Sequence, residues 1–439
     1  MGEKMDQKLR SLIFTSLGHF LNDSYIIVFS ILIAYYLDMK ISASYLGVMG
    51  ALINLISGLL SIWVGKSADK SGNHATLMLL GYILIGISII LYGLSFAYIK
   101  YYLLYISFAS IILGSGLSFY HPLGGSILQH SFDPKDSPKA LGINGSFGSL
   151  GRALFPIVIV FAIKYLGGSI LQHSFDPKDS PKALGINGSF GSLGRALFPI
   201  VIVFAIKYLG GSLGLSIIGV YTIVVGSLVF YGLKPIKIKA DTKSFDKSNS
   251  ELNMSSFYYI LIPLTIVVFI RAIFIAGVQT YAPTYLDHLF KSKVLMSIIL
   301  TVSYALAIFG QPYFGKLTGD IGGKKIVYIT TIFATIFYIA FILYKNPIIM
   351  SIMFMAFSLF AFSGFPVLLG YVGQIVDKSL SARANSLIWG VGNTVGGALG
   401  ILIGGILMNK IGLTNDMVLF AFIGIVSTIL LPLIPNKKN

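Results

Sequence analysis

Ionisable side chains are rare inside apolar helices, and the first long apolar run of this chain carries two. Asp23 lies about twelve residues into a run spanning 12–37, and His19 precedes it by four positions, which places both on one helix face. An ionisable group at the centre of a bilayer costs about 2.5–3.5 kcal/mol on insertion scales, so each one calls for a reason. Burial disfavours charge on either group, and a pair held near neutrality can take up and release a proton as its surroundings alternate. The plainer alternative is that the two only hydrogen-bond each other and neighbouring helices. Arg271 stands in the middle of a later apolar run, and Arg152 and Arg195 stand in two further ones. A guanidinium stays charged at any relevant pH, so none of the three is a proton carrier. Each could hold an anionic or phosphonate group bidentately, pair with Asp23, or serve as purely structural ballast. His121 precedes Pro122, whose missing N–H and ring kink a helix and suit a gating element. Asn22, Tyr25, Gln279, Tyr281 and Asn393 are polar enough to line a cavity, with helix-to-helix hydrogen bonding as the plainer role.

The elements that must position these groups are membrane helices. Hydrophobic residues make up 55% of the chain and charged residues only 11%, against about 25% charged in an ordinary soluble domain. Apolar runs long enough for an α-helix to cross the hydrocarbon layer recur from end to end. They are read at 12–37, 43–65, 75–96, 101–130, 140–165, 183–208, 213–233, 257–286, 294–315, 326–344, 348–375, 383–408 and 414–434. The fold class is therefore an all-α polytopic membrane protein. A net charge of +16 comes from Lys residues in short loops, the positive-inside pattern, which reports orientation and not a nucleic-acid partner. The absence of cysteine removes disulfides, thiol catalysis and Cys–metal sites. No metal or cofactor is expected, and Met1–Arg10 reads as a short polar lead with no cleaved signal.

One stretch says the same thing twice. LGGSILQHSFDPKDSPKALGINGSFGSLGRALFPIVIVFAIKY fills 123–165 and again, unchanged, 166–208. Old repeats drift apart, so identity over this length points to a recent duplication, a cloned insertion or a sequencing artefact. A stacked array would need at least three units, and the rest of the chain shows none. Each copy holds a polar connector and then one apolar segment, so the chain has gained a hydrophobic helix.

Beyond that insertion the two halves echo each other. WVGKSADKSG (Trp63–Gly72) follows the second span, and YFGKLTGDIGGKK (Tyr313–Lys325) follows the matching span of the second half. LSFYHPLGG (Leu117–Gly125) parallels FSGFPVLLG (Phe362–Gly370), and NGSFGSLGRAL (Asn144–Leu154) parallels WGVGNTVGGAL (Trp389–Leu399). Two six-helix bundles sharing motifs at matching places resemble a major facilitator transporter. Bundles at 1–233 and 257–439 are then separated by a hydrophilic central loop at 234–256. Within that superfamily, SLGHFLND (Ser16–Asp23), GSGLSFYHP (Gly114–Pro122) and NGSFGSLG (Asn144–Gly151) are similar to the fosmidomycin-resistance branch, as is VQTYAPTYL (Val278–Leu286) more loosely. The resemblance implies a proton-driven exporter of small molecules in a prokaryotic inner membrane. Asp69 with Lys70, and Asp320, would dock against neighbouring helix ends as a cytoplasmic latch.

The Lys-rich loops Lys66–Lys70, Lys234–Lys247 and Lys316–Lys325 are all expected to be cytoplasmic, as are both termini. Five candidate crossings separate the first two loops when both copies are counted, so one copy is expected not to span. Translation order favours 123–165 as the spanning copy, with 166–208 left on the outer side. Having 166–208 span instead avoids translocating Lys178 and Lys182 and keeps the join to the next helix, and this is the arrangement preferred. No Gly-Lys-Ser/Thr phosphate loop supports ATP-driven transport, and no nucleophile–base constellation supports an enzyme. The leading function is a proton-coupled exporter of small, anionic or amphiphilic compounds, acting as a monomer on lipid, protons and substrate. Two alternatives remain: a proton-coupled uptake symporter for a sugar or organic anion, and a transport-inactive receptor or structural protein.

Overall fold

The structure is a computed structural model describing residues 7–131, 198–236, 254–344, 346–375 and 386–435. Regular structure among them is entirely helical, as an apolar chain requires when water cannot satisfy its backbone groups. In order the helices are α1 (Gln7–Ser24), α2 (Val28–Asp38), α3 (Ala43–Ser71), α4 (His74–Ala97), α5 (Tyr102–Leu117) and α6 (Tyr120–Ser131). They continue as α7 (Phe198–Leu209), α8 (Gly211–Leu233), α9 (Met254–Phe290), α10 (Lys293–Ile321), α11 (Gly323–Leu343) and α12 (Pro347–Ala361). Then come α13 (Gly364–Ile375), a π-helical stretch Ser386–Val395, α14 (Gly396–Ile411) and α15 (Leu413–Ile429). Nine of the described helical segments are long and apolar enough to cross a membrane, and Phe198–Leu209, Lys293–Leu306 and Pro347–Ala361 are shorter apolar helices. The expected span 140–165 lies outside the described residues, as does most of 183–208.

Local chemistry sets the ends. Gly72 and Gly322, at φ 68° and 96°, take a left-handed backbone that a side chain would resist, and they close the two paired loops. Asn346 caps α12 by accepting from the N–H groups of Ile348 and Ile349, with Pro347 at the first helical position. The outer face of α8 presents Ile217, Val220, Val224 and Leu228 as an exposed stripe at helical spacing. In a chain of this composition that stripe is the lipid contact.

Several spans read as continuous are broken. The first run divides into α1 and α2 around Tyr25–Ile27, and the fourth into α5 and α6 at Ser118–Phe119. The corresponding later span divides into α12 and α13 at Phe362–Ser363. Pro122 and Pro366 are each the third residue of the piece after the break, where the missing N–H belongs to a group that has no intrahelical partner anyway. The bend expected at Pro122 therefore falls just before it.

The halves meet along α3 against α14 and α2 against α9. A Cβ built on Gly405 would lie 2.5 Å from the Gly47 Cα, so the two backbones are in direct contact. Asn409 of α14 donates to Ser42 and Ser44 at 2.7 and 2.8 Å beside this contact. In the first half, α7 is the end of the second copy: Phe198 and Ile202 are buried, and the Phe198 ring meets Tyr25 edge-on at 4.9 Å. The same residues of the first copy lie outside the described residues.

Candidate functional site

Asp23 sits where the first span breaks. Beyond it the chain turns through short-range bonds, Tyr25 N–H to the Asn22 carbonyl at 3.1 Å and Ile26 N–H to the Asp23 carbonyl at 3.3 Å. Its side chain is only 2% exposed, with Oδ2 3.3 Å from His19 Nε2 and Oδ1 3.5 Å from His121 Nε2. Asn22 Nδ2 donates to Oδ1 at 3.0 Å. His121 arrives because the fourth span breaks too: the kink at Ser118–Phe119 restarts the helix at Tyr120 and turns the next side chain toward α1. The His19 ring stacks on Tyr120 at 4.7 Å, and the Tyr120 hydroxyl donates to the Thr15 carbonyl at 2.8 Å. Two discontinuous helices thus face each other around one carboxylate, the arrangement that serves ion sites in membrane transporters.

The second half ties its first helix to its broken helix in the same way. Arg271 is 6% exposed; its Nε donates to Thr331 Oγ1 and its Nη2 to the Ala361 carbonyl, both at 3.2 Å. Ala361 is the last residue before the break at Phe362–Ser363. No carboxylate lies in ion-pair range of Arg271 among the described residues, so its charge is held by neutral dipoles alone.

The remaining expected site residues take various places. The Tyr25 hydroxyl hydrogen-bonds Thr222, binding the break between α1 and α2 to α8. Tyr281 donates to the Ile401 carbonyl at 2.6 Å, binding α9 to α14. Gln279 and Asn393 are half-buried on α9 and in the π-helical stretch. Lys70 and Asp320 are exposed at the ends of α3 and α10. Arg152, Arg195 and the side chain of Asp69 lie outside what is described.

Three features had no counterpart in the sequence reading. His74, the first residue of α4, bonds Ser126 of α6 at 2.9 Å. At the matching place, the N–H of Gly323, the first residue of α11, donates to Gln374 of α13 at 2.8 Å. Asp416 is fully buried in the first turn of α15, and neither carboxylate oxygen has a hydrogen-bond partner among the described residues.

The third feature is a latch. Lys293 donates to Asp38 at 2.6 Å and Asp287 at 2.7 Å while its Nζ lies 4.9 Å from the Tyr35 ring centroid. The signal was in the chain: Tyr-Leu-Asp closes α2 at Asp38 and recurs at Asp287, three residues before the end of α9. The three charges rim a cavity of about 390 Å³ between the halves, lined also by Thr284, Met408 and Leu413. Asp38 is 64% exposed, so the pair across the halves is worth about 0.2–1 kcal/mol. Lys293→Ala is expected to raise labelling of a single cysteine at Thr284 by an impermeant thiol reagent up to about fivefold. Unchanged labelling would show that the cation does not hold the halves together.

The chain matches the Major Facilitator Superfamily over residues 12–170, 165–388 and 264–439, and the first two matches meet at the junction of the identical copies. No curated protein matches it in sequence. Among solved structures it is similar to a bacterial homologue of the human lysosomal transporter Spinster, in an inward-facing and occupied conformation. That likeness has 15% identity and a TM-score of 0.71, and covers 99% of this chain and 97% of the other. It is also similar to a mutant of the nucleoside transporter NupG, at 12% identity and TM-score 0.64, covering 98% of this chain and 100% of the other. Helical architecture, motif-sharing halves and family match converge: the chain belongs to the major facilitator superfamily and is a multi-pass membrane transporter of small molecules, not an enzyme.

Proposed function

We propose that the protein is a proton-coupled exporter of small anionic or amphiphilic compounds, akin to the fosmidomycin-resistance branch and acting in a prokaryotic inner membrane. The observation that carries this reading is Asp23, a carboxylate buried between two imidazoles at facing helix breaks. Proton exchange there would change the charge that binds α1 to α6, and with it the angle between the helix pieces. His19, inside the first helix, is the second proton carrier. Arg271, charged and without an acid partner among the described residues, supports an anionic substrate in the other half. Reconstituted protein should move such a compound across a vesicle membrane only when a pH gradient is imposed. Movement that ignores the gradient would overturn the coupling.

The latch of Asp38, Lys293 and Asp287 then marks the outer face, since the Lys-rich loops at the opposite helix ends favour the cytoplasm. In this orientation 166–208 supplies the working fifth helix, a reading supported by the packing of Phe198 on Tyr25. The absence of native cysteine makes the arrangement testable with single cysteines at Ser180 and Ser244. Both should react with an impermeant reagent from the cytoplasmic side only. Ser180 reacting from outside would assign the fifth-helix place to 123–165 instead, and Ser244 reacting from outside would invert the second half.

A further inference from the structure

We propose that His19, Asp23 and His121 form a tridentate site for a divalent first-row transition ion of the zinc or cobalt class, and that this ion arrests transport. The three side chains bring two imidazole nitrogens and a carboxylate to one point, with all donor atoms within 4.8 Å of one another. Their spacing suits a shared ion. A charge-assisted N–H···O bond closes to about 2.7–2.9 Å, yet both imidazole–carboxylate separations are longer, at 3.3 and 3.5 Å. Bonds of about 2.0–2.1 Å in tetrahedral array put neighbouring donor atoms about 3.3–3.4 Å apart. The two imidazole–carboxylate pairs, one on each carboxylate oxygen, stand near that edge length, and drawing all three donors onto one ion needs side-chain shifts within the 4.8 Å that separates them.

The donors are also held in place. Asn22 Nδ2 fixes the Asp23 carboxylate, and Tyr120 fixes the plane of the His19 ring while its own hydroxyl is anchored on Thr15. Such outer contacts preset the direction of the ligand lone pairs. His121 is 57% exposed on its side chain, which gives an ion a way in and leaves a fourth position for water. The chemistry of the set selects the ion: two nitrogens and one oxygen favour zinc, cobalt or nickel, whereas calcium and magnesium prefer all-oxygen shells. Because His121 belongs to α6 and the other two ligands to α1, a bound ion staples the two broken helices to each other. Arrest follows from the staple, because the two broken helices can no longer move against each other.

The test uses the full-length chain, purified without a histidine tag and titrated with Co²⁺ and Zn²⁺ in detergent in the absence of any gradient. Wild type is expected to bind one ion with the visible bands of tetrahedral Co²⁺. His121→Ala, the substitution at the most exposed ligand, should weaken binding at least tenfold, and His121→Cys should restore it with a new thiolate-to-cobalt absorption. His288→Ala, at the far end of α9, should bind as wild type does. Binding that survives unchanged in His121→Ala, or no thiolate band in a folded His121→Cys, would overturn the site. Zn²⁺ added to vesicles should then slow wild-type transport and leave His121→Ala less affected. A bound ion that leaves transport untouched would overturn the arrest, whereas a failed titration alongside intact gradient dependence would remove the metal and spare the proton.

Discussion

Asp23→Asn is expected to abolish gradient-driven transport, to the level of protein-free vesicles, while the protein keeps exchanging substrate across the membrane at equilibrium. Asparagine has the size of aspartate and keeps an acceptor for Asn22 Nδ2, which bonds Oδ1 at 3.0 Å, so the packing of α1 on α6 has no reason to fail. What it cannot do is change charge. If the proton binds at Asp23, the substituted protein is fixed in the neutral form, and an imposed pH difference has nothing to act on. Counterflow, which needs the helices to move but no net proton, separates a lost coupling from a lost fold. His19→Gln should give a partial loss, since an imidazole that shares the proton helps its passage without being its final seat. Gradient-driven transport that persists in Asp23→Asn would move the coupling elsewhere, with Asp416, whose buried carboxylate has no hydrogen-bond partner among the described residues, as the next position to test.

The second large effect comes from a single methyl group. In Gly405→Ala the new carbon would lie 2.5 Å from the Gly47 Cα and 2.7 Å from the Ala43 carbonyl oxygen. Both obstacles are backbone, so neither can swing away, and overpacking of this kind costs about 1–3 kcal/mol. That cost falls only on the form in which α3 and α14 touch. A bias of about 1–3 kcal/mol is a 5- to 150-fold shift in population, so the form with these helices apart should come to dominate. A single cysteine at Thr284, buried beneath Lys293 in the present form, should label from the latch side at least several-fold faster in Gly405→Ala. Equal rates would mean that α3 and α14 do not separate during the cycle.

The all-helical membrane class was legible in the sequence because long apolar runs are a direct consequence of crossing a bilayer. His19 and Asp23 were legible because charge inside an apolar run has no cheap explanation. Their third partner was not, since His121 reaches them only through the break at Ser118–Phe119. There the segment Gly-Ser-Gly-Leu-Ser-Phe holds no proline, and Pro122 pointed a few residues too far along. Lys293 was hidden for the opposite reason. A single lysine in a short loop between two apolar runs is common, and only its meeting with the two Tyr-Leu-Asp segments across the halves makes it a bridge. Asp416 fell inside the last expected span, 414–434, but was not singled out there; α15 begins at Leu413 and buries it in its first turn. The identical copies were plain in the sequence, yet of the second only its final turns, from Phe198 onward, fall within the described structure.

The lysine between the two Tyr-Leu-Asp segments also bears on how easily the molecule comes open. Asp287 and Lys293 belong to the same half, six residues apart across a short turn, whereas Asp38 belongs to the other. When the halves part, the lysine stays with Asp287, and only the already exposed Asp38 is handed back to water. The fastening is thus lopsided, like a hook that keeps its thread when the eye slips off. Separation never strands a bare cation, and re-engagement needs no search for a counter-charge, so both directions of the stroke can be fast.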